Sequence, residues 1–169
     1  CYVGVPAFNP ATMFRIIEEE RCTMLSGVPT SYLAMLEHPA RAEHDLTSLR
    51  AGTCGGADTD PALLARCAEA LPLPGMVQVY GQTEANLLVA NCAVLMDAKP
   101  GSMGRAVPGH TVEVLDEAGN LCGTGEIGEI AVKRPDPVIF LGYWGNDVAT
   151  NTTNSCLLYK SDAADERSS

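Results

Sequence analysis

The residues best equipped for chemistry stand together in Tyr80-Gly81-Gln82-Thr83-Glu84. They offer an aromatic face, a flexible backbone point, a hydroxyl that can donate to a phosphate oxygen and a carboxylate that can ligate Mg²⁺. They follow Met76-Val77-Gln78-Val79, a short Val-rich run with the character of a buried strand. Ligands of open α/β sheets collect outside the carboxyl ends of the strands, which is where this group would stand. One strand and one helix earlier, Gly55-Gly56-Ala57 also lies between a strand and a helix. Glycines there let the backbone approach a flat ligand, and the helix N-terminus beyond favours an anion. Alone, that segment is a glycine-rich turn. Paired with the 80–84 stretch, it becomes the second half of a candidate site.

Positioning such a site takes alternating helices and strands, and residues 1–85 supply them. Asn9-Pro10 starts a helix, with Asn as the cap and Pro at the first helical position, where its missing N–H costs nothing. Met13, Ile16 and Ile17 recur at helical spacing, and the pattern runs to about Glu20. Cys22-Thr23-Met24-Leu25 reads as a strand. Thr30 can cap a second helix bearing Tyr32, Leu33, Met35 and Leu36, which ends at His38-Pro39. Leu49-Arg50-Ala51-Gly52-Thr53 is the next strand, Asp60-Pro61 starts a third helix with Leu63, Leu64 and Cys67, and Leu73-Pro74-Gly75 breaks to the strand before Tyr80. This predicts an α/β fold, a parallel-sheet layer with helices.

From Pro100 the pattern changes. Residues 111–116 and 128–133 alternate like half-buried strands around a turn at Glu117-Ala118-Gly119-Asn120, and Ile139-Phe140-Leu141 adds a further apolar run. A small, mainly antiparallel β subdomain is expected. The division expected is an α/β subdomain carrying the candidate site over residues 1–98, the small β subdomain over 99–150, and a tail over 151–169.

Composition sets limits. The 169 residues are 46 % apolar, with mean hydropathy +0.05, and no apolar run approaches the length of a membrane span. A net charge of −10 argues against a nucleic-acid surface, though a nucleotide site needs only local donors. Seven cysteines are scattered without C-x-x-C or a nearby His pair, which reads as reduced, mostly buried thiols of a cytoplasmic protein rather than a disulfide or zinc framework. His38, His44 and His110 fall in no catalytic pattern, and His110, beside Pro108-Gly109, reads as a turn residue. The chain opens on Cys1-Tyr2-Val3-Gly4-Val5-Pro6, which reads as the middle of something, so a fragment is expected.

Five segments in order resemble the adenylate-forming superfamily, and in particular its AMP-forming acyl-CoA synthetases. Tyr80-Gly81-Gln82-Thr83-Glu84 is similar to the Y-G-x-T-E signature. Glu20-Arg21-Cys22-Thr23-Met24-Leu25-Ser26-Gly27-Val28-Pro29-Thr30 is similar to E-R-x-T-x-x-x-G-V-P-T. Lys99-Pro100-Gly101-Ser102-Met103-Gly104 matches K-P-G-S-M-G. Glu126-Ile127-Gly128-Glu129-Ile130 and Phe140-Leu141-Gly142-Tyr143-Trp144 resemble the later G-E-I/L and G-Y-W motifs. Alone, Lys99 reads as a solvated loop residue and Trp144 as a core aromatic.

The resemblance implies roles. Gly55, Gly56 and Ala57 would line the adenine pocket, Tyr80 would stack on the base with Gly81 and Gln82 beside it, Thr83 would hold the α-phosphate, and Glu84 would ligate Mg²⁺. ATP (bound as AMP), Mg²⁺ and CoA are the implied cofactors, and a carboxylic acid is the partner. The carboxylate would attack the α-phosphorus, release pyrophosphate and leave an acyl-adenylate, from which CoA displaces AMP. Positioned donors and a metal would serve both steps, without a protein nucleophile. A ligase for medium-chain or aromatic acids is favoured. The rivals are an adenylation domain of peptide-synthetase type, a luciferase-like oxidoreductase and a non-catalytic nucleotide-binding remnant. The family's phosphate loop and lid lysine would belong to the rest of a parent chain, so this piece alone is expected to be inactive. Gly81 would leave the acyl pocket open where acetate-specific relatives carry tryptophan. Asp162 falls near the spacing of a ribose-binding aspartate, but residues 156–166 also resemble a translated sequencing adapter, and the tail is expected to be artefactual or disordered.

Overall fold

The computed structural model describes residues 1–73, 75–93, 96–154 and 158–161, the last stretch for its backbone alone. Pro74 of the expected break, Cys156, and Asp162 with the rest of the tail lie outside them. The chain forms two compact units. Cys1–Gln78 with Cys92–Gly101 make the first, and Val79–Asn91 with Ser102–Ser169 make the second.

In the first unit, Asn9 caps α1 (Pro10–Glu19), its side-chain oxygen accepting the Thr12 N–H at 3.1 Å. Asp60 does the same for α3 (Pro61–Ala70), accepting from Ala62 N–H at 2.8 Å. In α2 (Pro29–Glu37) the cap is Val28, which makes no side-chain bond. Thr30 therefore lies inside the helix rather than capping it: Pro29 takes the first position, where its lack of an N–H is harmless. A short 3₁₀ turn follows over Pro39–Glu43.

The strands β1 (Met24–Gly27) and β2 (Ala51–Gly55) pair in parallel, with Leu25 opposite Gly52. Both start two residues later than the apolar runs suggest. Hydrogen bonds that precede the ladder occupy those runs, with Ser48 Oγ donating to Cys22 O at 2.8 Å and Arg50 N–H to Thr23 O at 2.8 Å. β3 (Gly75–Tyr80) lies next to β2. The core beneath contains Phe14, Ile17, Tyr32, Met35, Cys54, Cys67, Leu71 and Leu73. The Tyr32 hydroxyl lies 2.9 Å from Leu25 O and 3.0 Å from Thr53 O, so its burial leaves no donor unpaired. Only Cys54 and Cys67 are buried among the described cysteines, which corrects the expectation of mostly buried thiols; the six described are free. Burial raises the Cys54 thiol above its ordinary range and pushes Cys67 up to about 11.

In the second unit, the end of β3 meets the segment before β4 (Val89–Asn91), where Leu88 N–H donates to Tyr80 O at 2.9 Å. β4 pairs antiparallel with β5 (Arg105–Ala106). A separate antiparallel sheet has the order β6 (Val112–Leu115), β7 (Glu129–Lys133), β8 (Leu158–Ser161). The expected turn is present: Asp116 O accepts from Gly119 N–H, and the Asp116 carboxylate accepts from Asn120 N–H. Residues 139–141 form no strand. Ile139 makes an isolated bridge to Ala85, and Leu141 stands fully in solvent. Asn146 caps α4 (Asp147–Thr153), a helix the apolar periodicity did not announce. The α/β layer with a parallel strand pair and helices, and the small antiparallel sheet after it, are the architecture expected.

Candidate functional site

β3 delivers Tyr80 to the start of a tight reversal. Gln82 N–H donates to Ala85 O at 3.0 Å and Ala85 N–H to Gln82 O at 3.2 Å, so Thr83 and Glu84 are the two residues at the tip. Thr83 is exposed and Glu84 half-buried. Tyr80 packs against the cluster of Ala85, Leu88, Val89, Val132 and Ile139, and the Gln82 Nε2 lies 3.3 Å from its hydroxyl. Five consecutive residues thus present a ring, an amide, a hydroxyl and a carboxylate on one rigid corner. Gly81 has a steric reason to be glycine: a Cβ there would sit 2.3 Å from Leu87 N and 3.1 Å from Ala85 O. Any side chain at position 81 would run into the returning backbone.

The segment after β7 braces this corner. Phe140 N–H donates to Glu84 O at 2.7 Å, and the Tyr143 hydroxyl donates to Glu84 Oε1 at 2.8 Å. Among the described residues Glu84 Oε2 takes no hydrogen bond. The Tyr143 ring meets Phe140 edge-on, with centroids 4.8 Å apart. Its bond to Glu84 holds the phenol above its ordinary range. The Tyr143 N–H donates to Thr150 Oγ1 of α4 at 2.8 Å. At the other end of the segment, Asp136 accepts from Val138 N–H at 3.0 Å and pairs with His110 Nδ1 at 2.7 Å. Burial pushes the Asp136 carboxyl up, but the bonds from His110 and Val138 outweigh it and hold the group below the usual carboxylate range.

The other half of the expected site belongs to the first unit. Gly55 ends β2, and Gly56 has φ +79°, a conformation that favours glycine. Its Cβ would lie 3.4 Å from Val28 Cγ1. The Ala57 carbonyl accepts from Thr59 Oγ1 at 3.2 Å, and Asp60 then opens α3. Gly56 and Ala57 are exposed at the carboxyl end of their strand.

Three features escaped the sequence reading. Tyr143 was visible within Phe140-Leu141-Gly142-Tyr143-Trp144, but its polar tip was not linked to the carboxylate 59 positions earlier. His110, a turn residue by its sequence neighbours, engages a buried Asp136. Asn146-Asp147 carried an N-cap signal that would have found α4. Trp144, read alone as a core aromatic, is fully exposed, since the chain turns outward between Gly142 and the α4 cap.

A family model described as an AMP-binding enzyme matches residues 1–144. The chain belongs to the AMP-binding enzyme family. It is similar to a feruloyl-CoA synthase of Amycolatopsis sp, 38 % identical over 148 residues that cover 85 % of this chain and 29 % of that protein. It also resembles the medium/long-chain-fatty-acid–CoA ligase FadD8 of Mycobacterium tuberculosis, 35 % identical over 164 residues that cover 95 % of this chain and 28 % of that protein. Among solved structures, the anthranilate CoA ligase AuaEII in complex with anthranoyl-AMP superposes with a TM-score of 0.80 at 25 % identity, covering 90 % of this chain and 29 % of that one. The chain thus spans under a third of the length of these relatives. Among its described residues no helix is long and apolar enough to cross a membrane, and no group of three or more His, Cys, Asp or Glu is arranged to hold a metal ion. A cation at Glu84 would need its remaining ligands from phosphate oxygens and water, the mode Mg²⁺ adopts in nucleotide sites.

Proposed function

We propose that this chain is part of an ATP-dependent carboxylate–CoA ligase that acts on a medium-chain or aromatic acid. The observation that carries the reading is the corner itself. Reciprocal bonds between Gln82 and Ala85 hold an exposed Thr83 hydroxyl and a half-buried Glu84 carboxylate side by side beyond a strand end. Thr83 would donate to an α-phosphate oxygen, and Tyr80 would present its ring to the adenine. Gly55, Gly56 and Ala57 would line the adenine pocket. Glu84 Oε2 would hold Mg²⁺, which when bound neutralises charge on the phosphates. With the acid's carboxylate aligned on the α-phosphorus, pyrophosphate leaves and an acyl-adenylate forms; the CoA thiol then attacks the acyl carbon and AMP departs. The enzyme's part is to orient groups and stabilise charge, which a fixed corner does at little reorganisation cost. The names of the relatives, aromatic and fatty-acid CoA ligases, support the substrate class.

The test uses the complete protein that carries this chain. Pyrophosphate exchange into ATP should appear only with an acid such as octanoate, benzoate or ferulate, and thioester only when CoA is added. Acid-independent ATP hydrolysis, or exchange with no acid in the panel, would refute the reading.

A further inference from the structure

The Tyr143 hydroxyl donates to one oxygen of Glu84, and the other oxygen takes no hydrogen bond among the described residues. The carboxylate is therefore held asymmetrically. Tyr143 is itself fixed at two further points. Its N–H donates to Thr150 Oγ1 at 2.8 Å, and its ring rests edge-on against Phe140. Thr150 Oγ1 in turn donates to Asn146 O at 2.9 Å, inside the first turn of α4. Phe140 adds a backbone bond to Glu84 O at 2.7 Å, so side chain and main chain of Glu84 are clamped by one segment. Tyr143 is 37 % exposed and its polar tip points at a carboxylate.

We propose that Tyr143 is a positioning residue for Glu84. It occupies Oε1 so that Oε2 alone is presented to the divalent cation that accompanies the nucleotide phosphates, and α4 locks that orientation through Thr150. The inference rests on the reading of Glu84 as the metal ligand. Without the hydroxyl, the carboxylate rotates among several rotamers and must be ordered when the cation binds. A hydrogen bond to a charged group commonly carries a tenfold or larger effect when buried; with Tyr143 partly exposed, a loss of about five- to tenfold is expected.

The experiment measures Mn²⁺ binding by electron paramagnetic resonance in the complete protein saturated with α,β-methylene-ATP. It compares wild type, Tyr143→Phe, Glu84→Gln and the double variant, with thermal midpoints recorded for each. The proposal expects Tyr143→Phe to weaken Mn²⁺ about five- to tenfold with an intact fold. The double variant should be no weaker than Glu84→Gln to within about twofold, because the hydroxyl acts only through that carboxylate. Weakened binding in Glu84→Gln with wild-type binding in Tyr143→Phe would overturn the positioning role and leave the Glu84 reading standing. Wild-type binding in Glu84→Gln would overturn the metal-ligand reading and this inference with it. If Tyr143→Phe fails to fold, 3-fluorotyrosine at position 143 replaces it. Its ¹⁹F signal should shift when Mg²⁺ joins the bound analogue and stay still in the Glu84→Gln background; a signal unmoved by Mg²⁺ would overturn the proposal.

Discussion

Gly81→Ala should destabilise the corner, and the geometry says by how much. The added Cβ would stand 2.3 Å from Leu87 N and 3.1 Å from Ala85 O. Ordinary contact requires a C···N separation near 3.5 Å, so the returning backbone must withdraw by about 1 Å. Such a shift would break the 2.9 Å bond from Leu88 N–H to Tyr80 O, worth about 1 kcal/mol. Overpacking adds about 1–3 kcal/mol. Urea denaturation of wild type and variant should therefore differ by roughly 2–4 kcal/mol at an unchanged m-value, by the sum of those two contributions. Gly104→Ala serves as a harsher control, since its Cβ would lie 2.0 Å from Ala90 O and its φ of +99° is one that side chains rarely adopt. If Gly81→Ala unfolded at the wild-type urea concentration yet narrowed the range of acids accepted, the glycine would be measuring substrate after all. The steric account would then be wrong.

Asn9→Ala and Asp60→Ala each remove a cap and should cost about 1 kcal/mol apiece, additively, as read by urea denaturation. Asp136→Asn leaves one acceptor oxygen for two partners, His110 Nδ1 and Val138 N–H, and should cost about 1.5–3 kcal/mol by the same assay. The folded-state pKa of Asp136 is depressed, so its stabilisation is present above the ordinary carboxylate range and lost as pH falls through the lowered value; Asp136→Asn should flatten the acid limb of a stability–pH curve. The same sign holds for Asp45, held at about 2 by the Thr47 hydroxyl and N–H and by Arg21, so Thr47→Val should move part of the acid transition upward in pH. Brief iodoacetamide treatment at pH 8 should label exposed Cys1 and spare Cys54 and Cys67, as peptide mass spectrometry would show; early modification of Cys67 would contradict its burial and its pKa near 11.

Local chemistry was legible where it was self-contained. Asn9-Pro10 and Asp60-Pro61 announce helix starts because cap and proline act within one turn, and both helices begin there. Thr30 misled because two signals competed, and the fixed φ of Pro29 outranked the hydroxyl. The starts of β1 and β2 could not be read, because long-range bonds from Ser48 and Arg50 decide where the ladder begins. The 80–84 stretch was recognisable as a group because its members are neighbours in sequence. Its brace was not, because Tyr143 reaches Glu84 only through tertiary structure. In the sequence the glycine at 81 signals only a missing side chain; the fold shows that a backbone stands in that place.

The chain passes from one compact unit to the other after Gln78, returns after Asn91 and leaves again after Gly101. Neither unit is thus an uninterrupted length of polypeptide, and no single cut would release one whole. A ribosome making this chain completes the first 78 residues before residues 92–101 emerge to finish that unit, with the 80–84 corner made in the interval. The interrupting segments, 79–91 and 92–101, are short, so closing them costs little entropy. Limited proteolysis at one of these crossings should loosen both units together, and anyone dividing the molecule for expression would do better to permute the chain than to truncate it.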